Sequence, residues 1–341
     1  MHHSFIHRCL TLATQGRGHT GVNPMVGAVL VRDGKIIAEA LHDGFGGLHA
    51  EALLIKKCDQ EIQQEDRLYI NLEPCCHTDK KTPPCTKTII DSGIKSVVIG
   101  MEDPNPAVAG KGITELRNYG IRVIVGIERA RCEWFNRGFA TLMTKGRPWI
   151  TLKKAQTCSG AIAYDDGSKM KITSAAQDVW SHQYLRASHD AILVGVGTIV
   201  SDDPLLTCRI DPSTLRQRSR EKLNIEHCQP LRIILDPHLR IPLSANVVSE
   251  EMAKRTMLVT RDTEDPSGKM QELRDRGVQV VSIPVDHAGM FDLQALFRVL
   301  TTPTKDFYGI TSILVEGGRK TWEEFRKAAV VDCEVTLIGS K

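Results

Sequence analysis

Apolar and polar residues alternate in two rhythms along the first half of the chain. Val26 to Val31 is an unbroken apolar run after an Asn23-Pro24 turn. Asp33-Gly34 then supplies the residues a tight hairpin needs before a second run, Lys35 to Ala40. Ala50 to Cys58 has the spacing of a helix, and Arg67 to Leu72 that of a short strand. Thr86 to Ser92 is helical, with Gly93 as its stop. Ser96 to Gly100 and Ile121 to Val125 read as strands on either side of a helix, Ile113 to Asn118, that closes before Gly120. At the N-terminus, Phe5, Ile6 and Leu10 mark an amphipathic helix over Met1 to Leu12. Strands alternating with helices predict a layered α/β domain.

Lys145-Gly146-Arg147-Pro148 interrupts both rhythms and predicts a boundary, dividing the chain into domains 1–145 and 146–341. A new strand starts at Trp149 to Lys153. Ala191–Val196, Leu231–Asp236, Thr256–Thr260, Val278–Ile283 and Ser312–Val315 read as further buried strands. Helices are predicted over Ala175–Ala187 and Lys269–Arg276, so the second domain is also α/β. Asp211 to Gln229 is polar and charged, a surface insertion with no chemistry of its own.

Composition narrows the function. The formal net charge of the 341 residues is only +3, with no long run of Lys or Arg, which argues against a polynucleotide partner. No apolar stretch reaches the ~18–20 residues of a membrane span, and the N-terminus does not read as a signal peptide, so a cytoplasmic enzyme is expected. His2, His3 and His7 read as solvated residues at a frayed end, not as a metal tract. Ten cysteines without an export signal do not suggest disulfides. Seven are isolated. Cys75, Cys76 and Cys85 cluster with Pro and His.

That cluster carries chemistry. His49-Ala50-Glu51 opens a helix, Pro74-Cys75-Cys76-His77 follows a strand, and Cys85 follows Pro83-Pro84 where another helix begins. One His and two Cys fill three corners of a tetrahedral zinc site and leave the fourth to water. A Cys at a helix start is favoured as thiolate. Glu51 is too close to His49 to serve as a ligand beside it, and is placed to take a proton from the water and hand it to a departing amino group. H-x-E…P-C-x-x-C is a known zinc-deaminase signature, here with nine residues between Cys75 and Cys85. His77 as a fourth ligand would close the site to water. Taken alone, His-x-Glu means little, and a structural zinc knuckle also uses Cys and His. In that case replacing Glu51 would change nothing.

Leu72-Glu73-Pro74-Cys75-Cys76-His77 with Thr82-Pro83-Pro84-Cys85 resembles the stretched zinc motif of the RibD family of bifunctional riboflavin biosynthesis enzymes. Asn23-Pro24-Met25-Val26-Gly27, Asp103-Pro104-Asn105-Pro106 and Val108-Ala109-Gly110 are similar too. The resemblance implies a cytidine-deaminase-like three-layer sandwich that deaminates a diaminopyrimidinone ribosyl phosphate, with Asn23 binding substrate. In the family the two Cys ligands are usually one residue closer. Spacing therefore points to Cys76 and the Pro-Cys context to Cys75. We favour Cys75, because a longer loop costs little whereas moving a ligand along the chain reorients it.

The resemblance continues through Leu152–Gly160, Ile172-Thr173-Ser174, Leu185-Arg186-Ala187, Asp190–Gly195, Asp202–Arg209, Arg232–Asp236 and Val315-Glu316-Gly317-Gly318. It implies a dihydrofolate-reductase-like domain that uses NADPH to reduce the ribosyl ring to a ribityl chain. It assigns Lys153, Asp202 and Glu316 to catalysis. Ala155, Thr198, Asp202, Gly317 and Gly318 fall to the cofactor, and Arg186, Leu206, Arg209 and Glu316 to the substrate. Arg186 and Arg209 suit a phosphate, and the glycine pair allows close backbone approach. Ser159, Ala161 and Lys171 depart from the family pattern, and the chain stops soon after Leu337-Ile338-Gly339, which leads us to expect an open sheet edge covered in a homo-oligomer. A deaminase with a degenerate, merely binding second domain is the alternative, and NADPH binding separates the two. A polynucleotide deaminase would need a basic channel that the charge does not suggest.

Overall fold

β1 (Gly27–Arg32) and β2 (Lys35–Leu41) form the expected antiparallel hairpin in the computed structural model, which describes residues 2–77, 83–106, 108–162, 170–210, 229–262, 265 and 267–339. Asp33 and Gly34 both take positive φ, 47° and 75°, as a primed two-residue turn requires. β3 (Arg67–Leu72) pairs antiparallel with β1. β4 (Ser96–Met101) and β5 (Arg122–Val125) continue in parallel, so the order is β2-β1-β3-β4-β5. β1, β3 and β4 are buried almost throughout, which is why their sequences read as continuous apolar runs.

Helices pack on this sheet: α1 (His2–Ala13), α2 (Ala50–Lys57), α3 (Cys85–Asp91) and α4 (Lys111–Asn118), then α5 (Arg129–Phe135) and α6 (Arg137–Lys145). The apolar pattern did not reveal α5, because it buries only Cys132. The N-terminus is not frayed. α1 buries Phe5, Ile6, Cys9 and Leu12, His2 Nδ1 lies 2.9 Å from the Tyr69 hydroxyl, and His3 and His7 both pair with Glu128.

A second sheet of seven parallel strands has the order β10-β9-β8-β7-β11-β6-β12. Its strands are β6 (Trp149–Thr157), β7 (Ala191–Gly195), β8 (Leu231–Leu235), β9 (Thr256–Thr260), β10 (Gln279–Ser282), β11 (Ser312–Val315) and β12 (Cys333–Gly339). The single helix expected over 175–187 is three pieces. α7 (Ala175–Trp180) starts with a Ser174/Gln177 capping box, a π turn follows over Ser181–Leu185, and a 3-10 turn over Arg186–Ser188. α8 (Val196–Asp202) begins where the Gly195-Val196-Gly197 fragment stands. Most of the polar insertion predicted at 211–229 lies outside the described residues. Ser159 and Ala161 close a turn after β6 through hydrogen bonds with Thr157.

The chain divides into two compact units, each with its own apolar core. The first runs to Arg147 and also takes in Thr302–Gly309, and the second begins at Pro148. Within the first unit the Tyr308 carbonyl accepts from Val22 N–H at 3.0 Å, and the Tyr308 ring stacks on Phe45 at 5.0 Å. Gly21 lies so close that a Cβ would come within 2.3 Å of the Tyr308 carbonyl oxygen. Among the described residues no helix is long and apolar enough to cross a membrane.

Candidate active sites

His49 immediately precedes α2 and Glu51 lies in its first turn, so one helix start fixes both. Cys75 follows β3, and Cys85 is the first residue of α3. His49 Nδ1 lies 3.6 Å from Cys75 Sγ and 3.2 Å from Cys85 Sγ, and the three donor atoms all fall within 4.8 Å of one another. Zinc bond lengths in a tetrahedral site place neighbouring N and S donors about 3.6 Å apart. The set therefore fits zinc through three corners.

Electrostatics separates the two adjacent cysteines. Hydrogen bonding with Cys85, assisted by His49 and opposed by burial, brings the Cys75 thiol down to about 3. Burial pushes the Cys76 thiol up, as do the nearby Glu115 and Glu73 carboxylates. Cys76 is not in the donor cluster, and neither is His77. The His77 Nδ1 is buried with no hydrogen-bond partner among the described residues. Glu51 is only 3% exposed. Burial raises its carboxyl above the ordinary range, with His49 pulling the other way, the direction a proton-shuttling group needs.

Two residues without an assigned role shape this site. His42 is buried, its Nδ1 lies 3.0 Å from the Leu48 carbonyl, and its Nε2 lies 3.4 Å from Asn23 Nδ2. An Nδ1–H donor leaves Nε2 to accept from Asn23. Glu73 accepts backbone N–H bonds from Asp103 (3.0 Å), Gly110 (2.9 Å) and Ile113 (3.0 Å), tying the 103–113 segment to the strand end that carries Cys75. Glu73 belongs to the motif read from the sequence, but a contact across thirty residues leaves no local signal.

In the second unit Glu316, just beyond β11, receives both arms of Arg186 (2.8 and 2.7 Å), and Lys153 Nζ stands 4.0 Å from it. Burial alone would raise the Glu316 carboxyl, but Arg186 and Lys153 bring it down to about 2. It is ionised at neutral pH and stands as a fixed negative charge, not as a proton donor. Arg186 also donates to the Thr207 carbonyl at 2.8 Å. The π turn carries His182, whose Nδ1 accepts from Arg209 N–H at 3.1 Å. Burial, with Arg186 and Arg209 nearby, pushes His182 down to about 4. Arg209 itself is exposed. Leu206 has positive φ, 50°, and a buried side chain, so any ligand contact falls to its backbone.

Of the remaining predicted residues, Thr198 flanks the glycine pair. A Cβ on Gly317 would lie 2.7 Å from Val194 Cβ, so the backbone runs tight against β7 there. Gly318 takes a positive φ of 58°, and a Cβ on it would lie about as far from Thr198 Oγ1 (3.9 Å) as from Thr321 Oγ1 (4.0 Å). A cradle of bare backbone flanked by hydroxyls fits a cofactor phosphate. Asp202 is four residues beyond Thr198 on α8, hence on the same side of that helix, and is exposed. Ala155 is two residues beyond Lys153 on β6, so both point to one face of the sheet.

Comparison with known proteins finds two family matches. Residues 1–101 match the family described as cytidine and deoxycytidylate deaminase zinc-binding region, and residues 148–341 match RibD C-terminal domain. Riboflavin biosynthesis protein RibD of Aquifex aeolicus is 39% identical over 338 residues, covering 99% of this chain and 86% of that one. The Escherichia coli protein of the same name is 34% identical, over 99% of this chain and 87% of its own length. Two solved structures span all of this chain and 87% of theirs. Acinetobacter baumannii RibD has a TM-score of 0.78 at 30% identity. A diaminohydroxyphosphoribosylaminopyrimidine deaminase/5-amino-6-(5-phosphoribosylamino)uracil reductase from Thermotoga maritima has 0.76 at 35%.

Proposed function

This chain belongs to the RibD family of riboflavin biosynthesis proteins, and from that premise we propose how its residues divide the family's two reactions. The enzyme is bifunctional. Its first half is a zinc-dependent deaminase and its second an NADPH-dependent reductase. It deaminates 2,5-diamino-6-(5-phosphoribosylamino)pyrimidin-4-one and then reduces the ribosyl ring to a ribityl chain. We divide the chain into domains 1–145 and 146–341 and place the enzyme in the cytoplasm.

For deamination, His49, Cys75 and Cys85 hold the zinc, and the clustering of their donor atoms within 4.8 Å is the observation that carries the reading. Zinc bound there supplies Lewis acidity that activates water near neutral pH. Glu51 removes a proton from the attacking water and delivers it to the amino group as ammonia leaves. Asn23, beside His42, orients the pyrimidine. In the reductase, NADPH supplies the hydride. Thr198, Asp202, Gly317, Gly318 and Ala155 hold the cofactor. Arg209 and the Leu206 backbone bind the phosphorylated substrate. Lys153 delivers the proton that must accompany the hydride, and Glu316, ionised between Lys153 and Arg186, orients both the cation and the sugar. Lys153, Glu316 and Arg186 converge in one half-buried cluster, which disfavours a degenerate second domain. Purified protein given the diaminopyrimidinone ribosyl phosphate should yield the deaminated ribosyl product alone, and the ribityl product once NADPH is added, resolved by mass. Failure to oxidise NADPH would leave only the deaminase.

Glu316→Gln keeps the side chain's shape and removes its charge. We expect NADPH oxidation with the deaminated substrate to fall by about tenfold or more, with ammonia release unchanged. Normal NADPH turnover in this variant would remove Glu316 from the mechanism.

We also propose a homo-oligomer. Val179, Trp180 and Tyr184 are exposed, and so is Ile338 of the outer strand β12. The Ile338 carbonyl accepts from Gln177 Nε2 at 2.9 Å, so α7 and the end of β12 adjoin. An apolar patch beside a strand edge favours a second copy as its cover. Tyr184→Lys with Ile338→Lys should lower the mass measured by light scattering, and an unchanged mass would place the contact elsewhere.

A further inference from the structure

The turn that carries Asn23 is held two residues further on. Met25 N–H donates to Asn136 Oδ1 at 3.0 Å, and the Met25 carbonyl accepts from Asn136 Nδ2 at 3.1 Å. One side-chain amide thus grips both backbone groups of a residue 111 positions away. Asn71 adds a second hold. Its Nδ2 donates to the same Met25 carbonyl at 3.0 Å, and its Oδ1 accepts from Gly27 N–H at 2.8 Å. Both asparagines are buried, at 2% and 0% exposure. Gly27 leaves no slack behind the turn, since a Cβ there would come within 2.1 Å of the Cys9 carbonyl oxygen of α1.

The two amides have different anchors. Asn71 lies on β3, four residues before Cys75, so it ties the turn to the strand that leads to a zinc ligand. Asn136 lies between α5 and α6, outside the motifs read as chemistry. Only an amide presents an acceptor and a donor side by side at this length. Aspartate lacks the donor and leucine lacks both. The grip is therefore specific to asparagine and is not generic packing.

We propose that Asn136 is a positioning residue of the deaminase. By closing on both sides of Met25 it fixes the 23–27 turn, so that Asn23 meets the aminopyrimidine beside His42. This rests on the reading of Asn23 as a substrate-binding residue.

The test uses the full-length zinc-loaded enzyme. Asn136→Ala leaves a buried N–H unpaired and frees the turn. It should raise the deaminase KM by roughly tenfold or more, lower kcat less, and keep its zinc. Reductase turnover on the deaminated product should match the parent, and the retained zinc serves as the control for folding of the first unit. Should this variant not fold, Asn136→Asp preserves the shape and the acceptor for Met25 N–H but faces the Met25 carbonyl without a donor, and the same rise in KM is expected. An unchanged KM, or loss of zinc together with activity, overturns the proposal. Asn23→Ala measured alongside separates two failures. If Asn23→Ala is impaired and Asn136→Ala is not, the positioning role falls alone. If neither is impaired, the reading of the turn as substrate-binding falls with it.

Discussion

Cys75→Ala is expected to purify without zinc and to release no ammonia from the aminopyrimidine, while Cys76→Ala keeps its zinc and deaminates normally. The two residues are neighbours in sequence and opposites in environment. Cys75 Sγ lies within the donor cluster, and its thiol is drawn well into the thiolate range by Cys85 and His49. Cys76 is outside the cluster, and burial and two carboxylates hold it as a thiol. Thiolates bind zinc and thiols do not. Loss of one of three protein ligands should weaken metal binding by far more than the ~10–100-fold typical of removing an outer-shell partner. Metal analysis after dialysis, paired with ammonia release, reads both outcomes. NADPH-dependent turnover should persist in both variants, because the second unit has its own core. The opposite pattern, zinc lost from Cys76→Ala and kept by Cys75→Ala, would reverse the ligand assignment.

Glu51→Gln should keep zinc and fold yet lose deamination by about 10²–10⁴-fold, the usual contribution of a positioned general acid–base group. The carboxamide fills the same buried space in the first turn of α2 but cannot take a proton from water and pass it on. The burial that raises the Glu51 carboxyl makes it suited to both halves of that transfer. Ammonia release near the parent rate, with zinc retained, would exclude Glu51 as the proton carrier.

Much of the architecture is legible in the sequence because the central strands are buried on both faces. Val26–Val31, Arg67–Leu72, Ser96–Gly100 and Ala191–Val196 stand out as apolar runs and form β1, β3, β4 and β7. Elements that bury little escape the same reading. The helix Arg319–Lys327 buries only Thr321 and Phe325, and the outer strand β12 alternates exposed positions with half-buried ones until Leu337 and Gly339. The π turn at Ser181–Leu185 is invisible because its residues continue the helical spacing of α7, although it sets where His182 and Arg186 stand. For the zinc cluster, the His-x-Glu and Pro-Cys motifs name the residues, but spacing alone points to Cys76, whereas the donor cluster contains Cys75. What decides is which sulfur comes to rest 3.6 Å from His49 Nδ1. Tertiary holds such as Asn136 on Met25 and Glu73 on Gly110 join residues too far apart in the chain for any local pattern to register them.

The return of Thr302–Gly309 to the first unit bears on how such a fused gene can be divided. A polypeptide ending at Arg147 would carry every proposed zinc ligand and every strand of the first sheet, yet would lack Tyr308. The Val22 N–H would lose its acceptor and Phe45 its stacking partner, one residue from Asn23 in the first case. Gly21, kept free of a side chain by the Tyr308 backbone, would lose its nearest neighbours. A cut at the apparent boundary is therefore not a neutral operation, even though each half has its own core.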